Sequence, residues 1–186
     1  TDCSVGKMYA SLALEKEMRA QGLNADFRAT GQTGILIAGD GISVDAVVAD
    51  FISGAIEWLT PANDPDHWDV IEGQGSLFHA SYAGVSLGLL HGAQPDALVL
   101  CHEPTRSHMR GLPDHAVPDL KDCLEANLAA ARLTNPEVAA VGVAVNTSQM
   151  AEGAADDLLR RIEDDLGLPA VDPFKDGVAP IVARLT

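Results

Sequence analysis

The sequence predicts an α/β domain with a three-layer, mainly parallel sheet and a phosphate-binding loop at its head. Three observations predict it. Helical and extended patterns alternate along the whole chain, the signature of βαβ units. Short apolar runs, W-D-V-I at Trp68 to Ile71, A-L-V-L-C at Ala97 to Cys101 and A-A-V-G-V-A-V at Ala139 to Val145, read as strands buried on both faces. Gly6-Lys7 opens a helical pattern, where backbone N–H groups, a helix N-terminus and an ammonium surround one anion. At 186 residues the chain suits a single domain with a full hydrophobic core.

The elements follow in order. Lys7 to Gln21 carries Met8, Leu12 and Met18 near one helical face, with Gly22 as a stop signal. N-A-D-F-R-A at Asn24 to Ala29 reads as a strand, and Ser43 as the cap of a long helix running to about Leu59 and ended by Pro61. Ser81 to His91 is a helix rich in small residues, and Pro118 to Leu133 is another. Ala151 to Leu166 is an acidic amphipathic helix, and a last helix covers about Gly177 to Leu185. Ligands of such a sheet gather at the loops after the strands, which begin here near Thr1, Thr30, Glu72, His102 and Asn146.

Composition narrows the partners. With 47% hydrophobic residues and a mean hydropathy of +0.08 the chain is not disordered, and it holds no apolar run near the roughly 20 residues of a membrane span. A formal charge of −15, from 27 acidic and 12 basic residues, disfavours nucleic acid and anionic membranes as partners. Cys3, Cys101 and Cys123 have no paired spacing, which points to a reducing cytoplasm. A phosphate loop needs a strand to feed it, so a strand and a further glycine are expected just before Thr1. On that expectation residues 1–186 form one C-terminal domain of a longer chain, with its own N-terminal domain as neighbour and a homo-oligomer as a compatible assembly.

Five constellations carry chemistry. In T-D-C-S-V-G-K-M, Met8 follows Lys7 where a complete Walker A loop has a hydroxyl for Mg²⁺. Glu72-Gly73-Gln74-Gly75-Ser76 follows a buried strand, and Glu72 can hold a metal or its water shell or simply lie in solvent. T-G-Q-T-G-I-L-I-A-G-D-G at Thr30 to Gly41 has the glycine density of a loop that wraps a ligand, with Gln32 and Thr33 as candidate contacts. Asp45 and Asp50 follow it; Asp45 in a first helical turn serves the helix dipole as readily as a metal. In C-H-E-P-T-R-S-H-M-R-G-L-P, Arg106 and Arg110 are candidates for a carboxylate or phosphate clamp, and His102 or His108 for moving a proton near neutral pH. Asn146, just past a strand, stands where P-loop proteins meet the nucleotide base; a cap on the next helix explains it equally well. His79 and His91 read as capping or packing histidines.

The opening T-D-C-S-V-G-K and the E-G-Q-G-S turn resemble the corresponding loops of dethiobiotin synthetase, a P-loop NTPase-type fold. Together with T-G-Q-T-G, V-D-A-V-V-A-D-F and C-H-E-P-T-R-S-H-M-R-G-L-P they span most of the chain and look like the C-terminal P-loop domain of the D-glutamate N-acetyltransferase-like family. That family carries a Rossmann-like domain in front. The resemblance implies an acyltransferase of D-amino acid catabolism, moving acetyl from acetyl-CoA to the amine of D-glutamate. On this reading Asp2, Cys3, Ser4, Val5, Gly6, Lys7, Met8, Gln74, Gly75 and Asn146 line the cofactor site, with Lys7 and the loop N–H groups on the CoA phosphates. Gln32, Thr33, Arg106 and Arg110 hold the acceptor, and Glu72, His102 or His108 takes the ammonium proton. The alternatives are an ATP- and Mg²⁺-dependent ligase or kinase, with Asp2, Asp45 and Glu72 near the metal, and a nucleotide-binding regulatory domain without catalysis.

Overall fold

The computed structural model describes residues 1–185. Helix α1 (Lys7–Ala20) leads into β1 (Asn24–Arg28) and the short α2 (Gln32–Ala38); two 3₁₀ turns precede α3 (Ile52–Leu59) and β2 (His67–Ile71). Then come α4 (Ala83–Ala93), β3 (Ala97–His102), β4 (His108–Met109), β5 (Leu112–Ala116) and α5 (Leu120–Ala131). The chain closes with β6 (Ala139–Val145), α6 (Glu152–Leu166), β7 (Ala170–Val171) and α7 (Ala179–Val182). None of the helices described is long and apolar enough to cross a membrane.

The predicted parallel α/β architecture is present, arranged as two parallel blocks: β1 with β2, and β3-β6-β7. Helices cover both faces. Leu14 and Met18 of α1 pack with Val178, Ile181 and Val182 around α7 on one side, while Cys123 and Leu124 of α5 pack with Ile162 of α6 against Val143 and Val145 on the other. Strand β6 passes between them with Val143 and Val145 fully buried, as its unbroken apolar run requires.

Between β2 and β3 lies a slot of about 440 Å³, walled by Trp68 and Val70 on one strand and Leu98 and Leu100 on the other. Leu14 of α1 and Leu89 of α4 also line it. At its end the Thr1 nitrogen donates to the Cys101 carbonyl (2.7 Å), and Ser76 Oγ donates to the Thr1 carbonyl (2.8 Å). Thr1 thus pairs laterally with β3 at Cys101.

Several boundaries differ from the sequence expectation. The long helix after Ser43 is two 3₁₀ turns, Val44–Ala46 and Ala49–Phe51, followed by α3; Ser43 turns its hydroxyl to Asp45 (2.5 Å), and α3 starts only at Ile52. The glycine-rich stretch after Thr30 contains α2, closed by Gly39 in the left-handed region at φ 78°. Asp119, with its carboxylate accepting from the Lys121 and Asp122 amides, caps α5, which starts at Leu120, two residues after the expected start at Pro118. The β4–β5 hairpin and β7 were not expected. Polar residues mask the first, and β7 is two residues long.

Candidate functional site

The phosphate loop is residues 1–6, between the Thr1 contact with β3 and the start of α1. Ser4 at φ 53° and Gly6 at φ 100° both take left-handed backbone, the second at the N-cap of α1. Such residues bend a chain so that consecutive N–H groups face one concavity. At Gly6 the conformation favours glycine, and a Cβ there meets Asn146 at 3.9 Å. The Lys7 ammonium lies back on the loop, donating to the Asp2 carbonyl at 2.6 Å, and burial pushes its pKa down.

Asp2 is fully buried and is the knot of the loop. One carboxylate oxygen accepts from the Cys3 amide (2.6 Å); the other accepts from Arg106 Nη1 (2.8 Å) and the Arg110 amide (2.8 Å). Burial raises the carboxyl pKa, and these donors more than offset it, so the group lies below its ordinary value. Arg106 also donates to the carbonyls of Cys3 (2.6 Å) and Ser4 (2.8 Å) and pairs with Glu103 (3.2 Å). Arg110 reaches the Ser4 hydroxyl. The structure therefore gives Arg106 partners other than a substrate carboxylate: it fastens the phosphate loop, and Arg110 touches the same loop from an exposed position. The fork of a guanidinium suits this task, because it spans a carboxylate and two carbonyls at once.

Glu72 is buried and directed at the backbone opposite the loop. Its Oε2 accepts from the Thr30 amide (3.0 Å) and the Gly31 amide (3.1 Å), while Thr30 Oγ1 donates to the Glu72 carbonyl (2.6 Å). Gln74 Nε2 donates to the same Thr30 hydroxyl at 3.2 Å. A Cβ on Gly31 meets Gln74 Nε2 at 2.5 Å and Glu72 Oε1 at 3.2 Å, so a side chain there displaces the ends of both where the two turns touch. Glu72 thereby positions the start of α2, where Gln32 and Thr33 stand exposed. Asp45 is exposed and takes the Ser43 hydroxyl.

The histidines separate. His102 Nδ1 lies 3.1 Å from Thr1 Oγ1, and burial pushes its pKa to about 4. His108 is exposed on β4 and bonds the Ser107 hydroxyl at 3.2 Å. His79, read as a packing residue, is buried with one ring nitrogen accepting from the Ser81 amide and the other on the Arg110 carbonyl, so it ties α4's approach to the arginine hairpin. Asp2, Cys3 and His79 bring donor atoms within 4.8 Å of one another, but Asp2 and His79 are already committed to protein partners.

On the other flank, Asn146 accepts from the Ser148 amide (3.1 Å) and lines a pocket with Gly6. Asp172, which the sequence reading missed, is the counterpart of Asp2 there. It is buried, accepting from the Thr147 amide (3.0 Å), the Thr147 hydroxyl (2.5 Å) and the Phe174 amide (2.9 Å). Its place directly after β7 was the available signal, but two residues of strand are too few to find from sequence.

A left-handed turn at a helix N-terminus, a lysine folded onto it and neighbouring strand-end loops define the class: a phosphate-loop α/β domain. Residues 1–182 match the family model described as "Domain of unknown function (DUF1611_C) P-loop domain", and the chain belongs to that family. It is 58% identical over 185 residues to a protein of Tritonibacter scottomollicae named D-glutamate N-acetyltransferase, and 57% identical to one of that name from a Pseudoalteromonas species. All of this chain is covered in both cases, yet it spans only 56% of the length of those relatives. A crystal structure of a DUF1611 family protein from Anabaena variabilis superposes with a TM-score of 0.92 at 34% identity, over 99% of this chain and 54% of that one.

Proposed function

We propose that this chain is the phosphate-loop domain of a longer cytoplasmic enzyme that transfers acetyl from acetyl-CoA to the amine of D-glutamate, its loop holding the phosphates of CoA. The relatives' name supports the reaction. The observation that carries the domain's part in it is the loop itself: Lys7 and the left-handed turn at Ser4 and Gly6 are retained, while Met8 stands where a Mg²⁺-binding hydroxyl would be. Such a loop can hold phosphates that do not react.

In the transfer, the free amine attacks the thioester carbonyl, the C–N bond forms and the C–S bond breaks. CoA leaves as the thiolate and takes up the proton released by the amine. Of the three candidate bases, Glu72 is engaged by two amides and His102 shares its Nδ1 with Thr1, which leaves His108 as the group open to solvent. The ATP and Mg²⁺ alternative asks Asp2, Asp45 and Glu72 to face a metal; each already accepts a protein hydrogen bond.

Isothermal titration of the longer protein with acetyl-CoA and with ATP, each with and without Mg²⁺, tests the reading. Acetyl-CoA binding independent of Mg²⁺ and weakened about tenfold or more in Lys7→Ala is expected, as loss of a charge-assisted hydrogen bond gives. Mg²⁺-dependent ATP binding with acetyl-CoA ignored overturns it.

The slot between β2 and β3 belongs to the same proposal. A segment preceding Thr1 in the longer protein enters it as one strand parallel to both edges, bringing the two blocks into a single sheet. The Thr1 bond to β3 supports that path. Hydrogen exchange of the β2 and β3 amides in the longer protein, compared with residues 1–186 alone, is expected to show added protection on the facing edges; equal exchange overturns it.

A further inference from the structure

Leu36 and Ile37 of α2, Val48 and Phe51 of the 3₁₀ turns and Trp58 of α3 all stand in water, Leu36 at 84%, Phe51 at 66% and Trp58 at 74% exposure. Tyr82 and Leu87 carry the apolar surface onto α4. Of the eleven large apolar side chains exposed among the described residues, eight fall between Leu36 and Leu87, so this surface is gathered instead of scattered.

The elements that bear it pack on one another. Ser53 Oγ donates to the Gly88 carbonyl (2.9 Å), and a Cβ on Gly92 would strike the Ser53 backbone, so α3 lies directly along α4. Phe51 is the N-cap of α3, and the stretch leading to it from α2 is fastened by the amides of Ile42 and Val44 on the carbonyls of Ala29 and Thr30. An aromatic side chain buries about 150–250 Å². With Phe51, Trp58 and Tyr82 on it, the face exceeds the roughly 300–600 Å² of the largest patch on a typical monomer and approaches the roughly 800 Å² that one partner brings to a standard interface.

The charge on this face has one sign. No lysine or arginine stands between Arg28 and Arg106, and the charged residues from α2 to the end of α3 are Asp40, Asp45, Asp50 and Glu57, all exposed. A second copy across a two-fold axis would bring these acids together with no cation on the face to meet them. A partner with an apolar centre and a basic rim is complementary.

We propose that the face formed by α2, the 3₁₀ turns, α3 and α4 is the docking surface for the N-terminal part of the longer protein, which covers it with an apolar centre and a basic rim. This rests on the reading above that the chain is part of a longer enzyme. The relatives extend beyond this chain by a little under half of their length, enough for a domain. The path of the chain fits. Thr60, directly after α3, lines the slot between β2 and β3 together with His67 and Pro95, at the end where both strands begin. A strand entering the slot there brings the chain before it beside Trp58. At the other end of the face α2 starts with Gln32 and Thr33, so the docked part borders the candidate acceptor site.

The test is hydroxyl-radical footprinting of the longer protein over a dilution series, each side chain's oxidation rate taken relative to the same residue in urea-unfolded protein. Phe174, at 78% exposure on another part of the surface, is the reference. Phe51 and Trp58 are expected to be protected about fivefold or more relative to Phe174 at every concentration, as in a packed interface core. If they react as Phe174 does, the face is open and the proposal is overturned. Protection that fades on dilution assigns the face to a second copy and overturns it too. Trp58→Glu, a surface change in this domain, is expected to bring Phe51 to the reactivity of Phe174 at an unchanged sedimenting mass. Unchanged protection of Phe51, or a halved mass, counts against docking of the N-terminal part. Asp50→Lys is expected to raise Phe51 oxidation, and no rise overturns the basic rim. An open face on a protein that still binds acetyl-CoA sinks this inference alone; a protected face on one that ignores acetyl-CoA sinks only the reading of the loop.

Discussion

The loops around Asp2 and Asp172 solve one problem in two ways. Asp2 follows the Thr1 contact with β3 and Asp172 follows β7, and each loop is organised by a buried carboxylate that accepts backbone amides. Asp2 adds a guanidinium from 104 residues away, whereas Asp172 adds only the Thr147 hydroxyl and keeps its partners within 25 residues. Around Asp172, Lys175 reaches the threonine instead of the acid. A carboxylate tied to a cation leaves that cation short of a counter-charge as well as unpaired amides when it is lost, one tied to neutral donors leaves only the donors, and the two loops should therefore fail by different amounts.

The largest effect expected is that of Asp2→Ala. It removes one of the two carboxylates beside Arg106 and leaves the amides of Cys3 and Arg110 without their acceptor, at about 3 kcal/mol, and lowers the thermal midpoint by roughly 6–12 °C. Asp172→Ala should cost about 2 kcal/mol, the penalty of unpaired buried donors; a cost equal to that of Asp2→Ala erases the distinction. Next comes pH. Both carboxyls lie below their ordinary values despite burial, which by itself raises them. Their contribution is full above the ordinary carboxylate pKa of about 4 and is lost as pH falls through the lowered folded values. Urea midpoints should therefore decline below about pH 4, and less steeply in Asp172→Asn. A slope unchanged in that variant removes Asp172 from the account. Arg106→Lys is expected to cost about 1 kcal/mol by calorimetry, because an ammonium cannot span Asp2 and two carbonyls together. The smallest effect is that of Phe174→Ala, within about 0.5 kcal/mol in stability.

The same contrast explains what the sequence revealed. Strand β6 was legible to the residue because Ala139–Val145 is apolar on both faces, and α6 because its apolar positions repeat at the helical period. The β4–β5 hairpin was not, since His108, Arg110, Asp114 and His115 carry no strand alternation and the turn is made by Gly111 at φ 76°. Within the site, a glycine-lysine string at a helix start could be placed from local spacing. Whom Arg106 would face could not, because its partners lie about a hundred positions away. The contact of Phe174 with Tyr9 was hidden for the same reason, since the two rings lie at opposite ends of the chain.

The Asp2–Arg106 pair also bears on descent. Arg106 holds the carbonyls of Cys3 and Ser4 as well as the acid, so exchanging the two residues would leave carbonyls facing a carboxylate. Inheritance can therefore not pass through a charge-reversed intermediate. The two positions are therefore expected to appear and vanish together among homologues, which an alignment of the family checks.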